Sequence, residues 1–176
     1  MIYILTGPSG SGKTTQANIL SKRDDFKRII TCTTRPMRDG EVNGIDYFFK
    51  TKDEFNSMLE QNALLAVTEY SGNLYGVPKQ SLQKYVNSKE EHIVIVLDVN
   101  GVRELKEMGA YCICLTLDAP TLKERMLERG DDITDVMSRL NDGLGLISYC
   151  DFFVDSRRPI EFNSNAISEF IKSTCK

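Results

Sequence analysis

The sequence predicts an α/β fold: a parallel sheet core flanked by helices, interrupted by a small mixed α/β lobe. Three observations predict it. Strand-length apolar runs alternate with helix-length patterns along most of the chain. The central runs, such as Val94-Ile95-Val96-Leu97, are apolar almost throughout, as strands buried on both faces are. One stretch, 35–88, breaks the alternation and is denser in Gly, Asn, Asp and Tyr.

The elements follow in order. Ile2-Tyr3-Ile4-Leu5 is the first strand. After it, residues 7–14 read Gly-Pro-Ser-Gly-Ser-Gly-Lys-Thr, the Walker A pattern G-x-x-x-x-G-K-T. A helix is expected over 13–22, with Ala17, Ile19 and Leu20 as its apolar positions. Further strands are expected at Arg28–Thr31, His92–Asp98, Tyr111–Leu117 and Phe152–Val154. Helices are expected over 100–108, 120–129, 132–148 and 160–173. Within 35–88, strand-like pieces at 46–49 and 64–70 bracket a helix over 52–60 (Phe55, Met58, Leu59). Ser71-Gly72-Asn73 marks a hairpin turn.

The Walker motif makes the core a P-loop NTPase-type sheet and implies nucleotide phosphate binding. Gly7, Gly10 and Gly12 let the backbone curl so that successive N–H groups face one anion. The helix that follows adds its positive end. Lys13 supplies a cation for the β/γ-phosphates, and the Thr14 hydroxyl is a hard ligand for Mg²⁺. With Pro8, Ser9, Ser11 and Thr15, these residues form the expected ATP cradle.

Composition excludes several alternatives. At 176 residues the chain fits one domain, and its 41% apolar content suits a buried core. A net charge of −3 with no basic stripe makes nucleic acid and membrane surfaces unexpected partners. No obligate protein partner is expected. No apolar run is long enough to span a bilayer. Met1 leads straight into a strand without a basic flank, so no leader peptide and a cytoplasmic location are expected. The five cysteines show no framework spacing and are expected to be reduced; Cys112 and Cys114 share a strand face. His92 is the only histidine and is read as structural, which argues against Ser-His-Asp or Cys-His chemistry.

Residues 33–49 read Thr-Thr-Arg-Pro-Met-Arg-Asp-Gly-Glu-Val-Asn-Gly-Ile-Asp-Tyr-Phe-Phe. Arg35 and Arg38 flank Pro36 just past a strand, a pattern suited to two guanidiniums meeting one dianion. The phenols of Tyr47 and Tyr75 are neutral donors to phosphate. A second phosphate site beside a Walker motif is what a phosphoryl-transfer enzyme needs: one pocket for donor, one for acceptor.

On these motifs, with Ser-Gly-Asn-Leu-Tyr-Gly at 71–76 and Leu-Asp-Val-Asn-Gly at 97–101, the chain resembles the guanylate kinases. The resemblance covers essentially the whole length. It implies ATP-dependent phosphorylation of a nucleoside monophosphate, with GMP or dGMP as the expected acceptor and ATP and Mg²⁺ as cofactors. It assigns Arg35, Arg38, Tyr47 and Tyr75 to the acceptor phosphate, and Thr31 to the base. Asp98 ends a core strand and is expected to serve the Mg²⁺ hydration shell, the acceptor base, or both. The resemblance also implies one domain with a core (about 1–32 and 90–176), an acceptor lobe (about 33–89) and a helical lid (about 122–142). The lid would carry catalytic arginines at Arg125, Arg129 and Arg139. Asp155 stands where an asparagine near the donor base is usual.

Two positions depart from the family. Ala66 stands where a guanine-reading glutamate is usual, and Val77 replaces a Ser or Thr. Glu69 lies three residues on and faces away from Ala66 unless a bulge intervenes. A kinase with a different acceptor, nucleotide or phosphorylated sugar, therefore remains an alternative. A non-catalytic binding module is a third reading, opposed by the retention of Lys13, Thr14 and the arginines.

Overall fold

The computed structural model describes residues 1–86, 92–128, 130 and 147–175. In chain order its first half contains β1 (Ile2–Thr6), α1 (Lys13–Leu20), β2 (Phe26–Ile29), β3 (Cys32–Thr33), β4 (Phe48–Phe49), α2 (Lys52–Glu60), β5 (Leu64–Tyr70), β6 (Asn73–Pro78) and α3 (Lys79–Val86). The second half contains β7 (His92–Val96), α4 (Val99–Glu107), β8 (Tyr111–Thr116), α5 (Ala119–Glu128), a 3₁₀ turn (Ile147–Tyr149), β9 (Phe152–Asp155) and α6 (Ile160–Ser173).

Five strands form a parallel sheet in the order β2-β7-β1-β8-β9. Their near-continuous apolarity is explained by two cores, one on each face. On β1, Ile4 points into one core while Tyr3 and Leu5 point into the other. Ile93 and Ile95 against Val94, and Cys112 and Cys114 against Ile113 and Leu115, repeat the alternation. One face is covered by Ala17 and Leu20 of α1 and Ile167 and Ile171 of α6. The other meets Val102 and Leu105 of α4 and Leu82 of α3. Each fully buried aliphatic side chain contributes ~1.5–3 kcal/mol.

The stretch that broke the alternation forms its own four-stranded sheet, order β4-β3-β6-β5. Its small core is Cys32, Phe55 and Leu64, with α2 started by a Thr51–Glu54 capping box. β5 and β6 form the expected hairpin. Three short elements escape the periodicity: β3, β6 and α3.

β2 lies two residues earlier than expected, because Phe26 and Ile29 pair into the sheet beside His92 and Ile95. Ile30 and Thr31 instead leave it towards β3. His92 is structural, packed 5.6 Å from the Tyr3 ring and 5.3 Å from Phe26. The cysteine expectation needs correction. Cys114 and Cys150 form a disulfide with a Cα–Cα distance of 5.8 Å, and Cys112 Sγ lies 3.8 Å from Cys114 Sγ. The pairing spans 36 residues and arises because the 3₁₀ turn lays Tyr149 and Cys150 against the β8 face, which no local spacing announces. The helix expected over 132–148 falls outside the described residues except at its last positions, which lie in that turn. No described helix is long and apolar enough to cross a membrane.

Candidate active site

A cleft of about 1040 Å³ opens between the two sheets, at the carboxyl edge of β1 and β7. Its floor is the loop from β1 to α1. Gly7 there has φ 141°, and a Cβ on it would lie 2.2 Å from the Leu115 carbonyl oxygen of β8. Only glycine lets the loop pass so close to the sheet. Gly12, in left-handed conformation, starts α1 at Lys13. Gly7, Pro8, Ser9, Gly10, Gly12, Lys13, Thr14 and Thr15 all border the cleft, as expected of a phosphate cradle. Lys13 Nζ donates to the carbonyls of Gly7 (2.8 Å) and Pro8 (2.9 Å), which keeps the ammonium over the loop. The Thr14 hydroxyl and Asp98 line the same cleft and fit Mg²⁺, which takes oxygen ligands.

The opposite wall carries Arg35, Arg38, Tyr47 and Tyr75. Arg35 is buried, and its guanidinium donates to Glu41 Oε1 at 2.7 Å and to the Pro36 carbonyl at 2.6 Å. The Arg38 backbone N–H donates to the other Glu41 oxygen at 2.8 Å. Burial alone would depress the Arg35 pKa, but the hydrogen bond and charge of Glu41 outweigh it and raise it. Burial likewise works against the Glu41 carboxylate, and the bonds from Arg35 and Arg38 hold its pKa below the usual value. The Arg35 guanidinium lies 5.5 Å from the Tyr47 ring and 5.6 Å from Phe49. Tyr47 and Tyr75 meet edge to face at 6.3 Å. Burial raises the Tyr47 pKa, so its phenol stays a donor.

Asp98 borders the same cleft. It also caps α4, accepting the Gly101 N–H through Oδ1 at 3.1 Å. Thr31 is buried and lines the same region. A bulge does intervene in β5, between Leu65 and Thr68. Ala66, Thr68, Glu69 and Tyr70 all border the cleft, while Val77 is buried in the core beneath.

Other expected residues are placed differently. Ser11 is buried off the cleft; its carbonyl accepts the Ser156 hydroxyl at 2.8 Å. Asp155 does not line the cleft, and Arg157 holds its carboxylate through a two-pronged bond (2.9 and 2.7 Å) that lowers its pKa to about 2. Arg125 reaches the cleft, donating to the Ser156 carbonyl at 3.2 Å and the Gly10 carbonyl at 3.4 Å. Arg129 and Arg139 lie outside the described residues, as does most of the expected lid. Glu41 carries no sequence expectation although it sits inside the arginine motif; its spacing from Arg38 is the available signal. Thr68 had none.

A glycine-rich loop and an arginine-lined wall bordering one cleft suit a P-loop phosphotransferase. A family model described as guanylate kinase matches residues 1–147. Guanylate kinases of Lactobacillus johnsonii (36% identical; 78% of this chain, 70% of that protein) and Bacillus subtilis (36%; 78% and 69%) are similar in sequence. The crystal structure of guanylate kinase from Anaplasma phagocytophilum is similar in fold, with a TM-score of 0.78 and 26% identity over 99% of this chain and 85% of that one. The chain belongs to the guanylate kinase family.

Proposed function

We propose that the chain transfers the γ-phosphoryl group of ATP to the phosphate of a nucleoside monophosphate, with GMP or dGMP as acceptor. The observation that carries the reading is the shared cleft: the loop around Lys13, the Arg35–Glu41 pair and Asp98 border one cavity. In this reading the loop N–H groups and Lys13 hold the β/γ-phosphates. Arg35, Arg38, Tyr47 and Tyr75 orient the acceptor phosphate, and Arg125 meets charge on the transferring group. Family position adds Arg129 and Arg139 to that catalytic set. Thr14 would hold Mg²⁺, which would neutralise charge on the phosphate oxygens, and Asp98 would serve its hydration shell, the acceptor base, or both. Asp155, tied to Arg157 and off the cleft, is given no contact with the nucleotide in this reading. The domain division follows the same logic: core 1–32 and 90–176, acceptor lobe 33–89, lid 122–142.

The acceptor could instead be another nucleotide, a reading favoured by Ala66 where the family places its glutamate. The test is a panel of monophosphates with Mg-ATP, following ADP release. GMP and dGMP should be turned over fastest; ADP release that no monophosphate stimulates would overturn the reading.

A further inference from the structure

β5 departs from a regular strand at the place where it meets the cleft. The register shift between Leu65 and Thr68 inserts one extra residue, and Ala66 within it has φ 49°. A residue with a Cβ adopts that backbone only when its surroundings impose it. Here α4 imposes it twice. The Ala66 N–H, freed from the ladder, donates to Glu104 Oε2 at 2.7 Å. The Thr68 hydroxyl donates to Asp98 Oδ2 at 2.5 Å.

These bonds fix the hydrogen-bonding character of one corner of the cleft. Asp98 is held from two sides, by Gly101 on its own helix and by Thr68 on the lobe sheet. Each carboxylate oxygen keeps a further lone pair. Thr68 has spent its single proton on Asp98, so its oxygen can only accept. Thr68 is itself buried and borders the cleft with Asp98 and Ala66.

We propose that Thr68 is the positioning residue for acceptor-base selectivity: by holding Asp98 it creates an acceptor-only wall. Such a wall suits a ring with two adjacent N–H donors, as guanine presents at N1 and its 2-amino group. It repels a ring with a lone pair at N1, as in adenine. The bulge delivers this wall in a chain that lacks a carboxylate at position 66. The inference rests on the acceptor being a nucleoside monophosphate.

The test measures binding of GMP, IMP and AMP to the ATP-free protein by calorimetry, and kcat/KM for each with Mg-ATP. Thr68→Val keeps the shape and removes the hydroxyl; Thr68→Ser keeps the hydroxyl. Thr68→Val should weaken GMP by ~10–100-fold, mostly in KM, and narrow the GMP:AMP ratio. The KM for ATP should move less than about twofold. Thr68→Ser should restore the ratio. If Thr68→Val does not fold, Asp98→Asn replaces it, since a mixed amide should also narrow the ratio of binding constants. A wild-type GMP:AMP ratio in Thr68→Val or Asp98→Asn, or equal losses for both nucleotides, overturns the proposal. Selective GMP binding without turnover in the wild type overturns the kinase reading alone.

Discussion

The two ends of the cleft, donor and acceptor in the proposed function, are built from different materials. The donor end is backbone: glycines at positive φ, the start of α1, and a loop pressed against the Leu115 carbonyl. The acceptor end is side chains borrowed from distant elements: Arg35 braced by Glu41, Tyr47 against Tyr75, Asp98 held by Thr68. A backbone cradle binds any polyphosphate and fails all at once. A side-chain wall can be retuned one residue at a time.

The largest effect should come from the donor end. Lys13→Met removes the cation that meets growing charge on the β–γ bridge. Turnover should fall on the order of 10²-fold or more with the fold intact. Circular dichroism and single-turnover kinetics check both halves; a folded variant with near-normal turnover would mean that the backbone of the loop suffices without its lysine.

At the acceptor end, effects should be selective. Arg35→Ala loses a charge-assisted contact worth ~1.5–3 kcal/mol. The acceptor KM should rise ~10–100-fold while that for ATP moves little. An equal rise in both constants would mean that the two ends are not separate sites.

The same division explains what the sequence disclosed. The cradle was legible because eight adjacent residues encode it, and the parallel sheet because both its faces are buried. Arg35, Arg38, Tyr47 and Tyr75 were legible as donors, but Glu41 was not, since its part is to brace an arginine. Thr68 and Glu104 meet partners 30 and 38 residues away, across a bulge that only tertiary packing imposes. The Cys114–Cys150 bond is hidden for the same reason. Local patterns predict groups that act alone; they do not predict groups that act through another.

A smaller effect is expected where the acceptor wall departs from its relatives. Ala66→Glu adds a carboxylate at the border of the cleft, and the GMP:AMP ratio of kcat/KM should rise roughly tenfold. The cost is local. The site has φ 49°, and its Cβ would lie 3.3 Å from a Cβ at Gly101, so α4 stands close. Stability should fall by ~1 kcal/mol, seen as a lower Tm. An unchanged ratio in a folded variant would leave guanine reading to Asp98 and Thr68 alone.

The smallest effect sets a carboxylate in the cleft against one outside it. Glu41 is largely shielded (19% side-chain exposure), and its pKa is held down by the Arg35 and Arg38 bonds against the opposing push of burial. A depressed carboxylate stabilises the fold fully above its ordinary value, 4.5 here, and the contribution is lost as pH falls through the lower, folded value. Asp155 follows the same sign, with its window between 3.8 and about 2. Its pKa shift is large, yet its partner Arg157 is 66% exposed, and exposed pairs are screened by water. Water screening therefore limits what this pair adds to the fold. Glu41→Gln should lower Tm at pH 7 by a few degrees, given ~1 kcal/mol for the lost charge-assisted bond. The gap to wild type should close as pH drops from 5 towards 3. Asp155→Asn should leave Tm unchanged at pH 7, and thermal melts of the three proteins across that range decide it. A pH-independent gap for Glu41→Gln would mean that the glutamate braces Arg35 by shape rather than by charge.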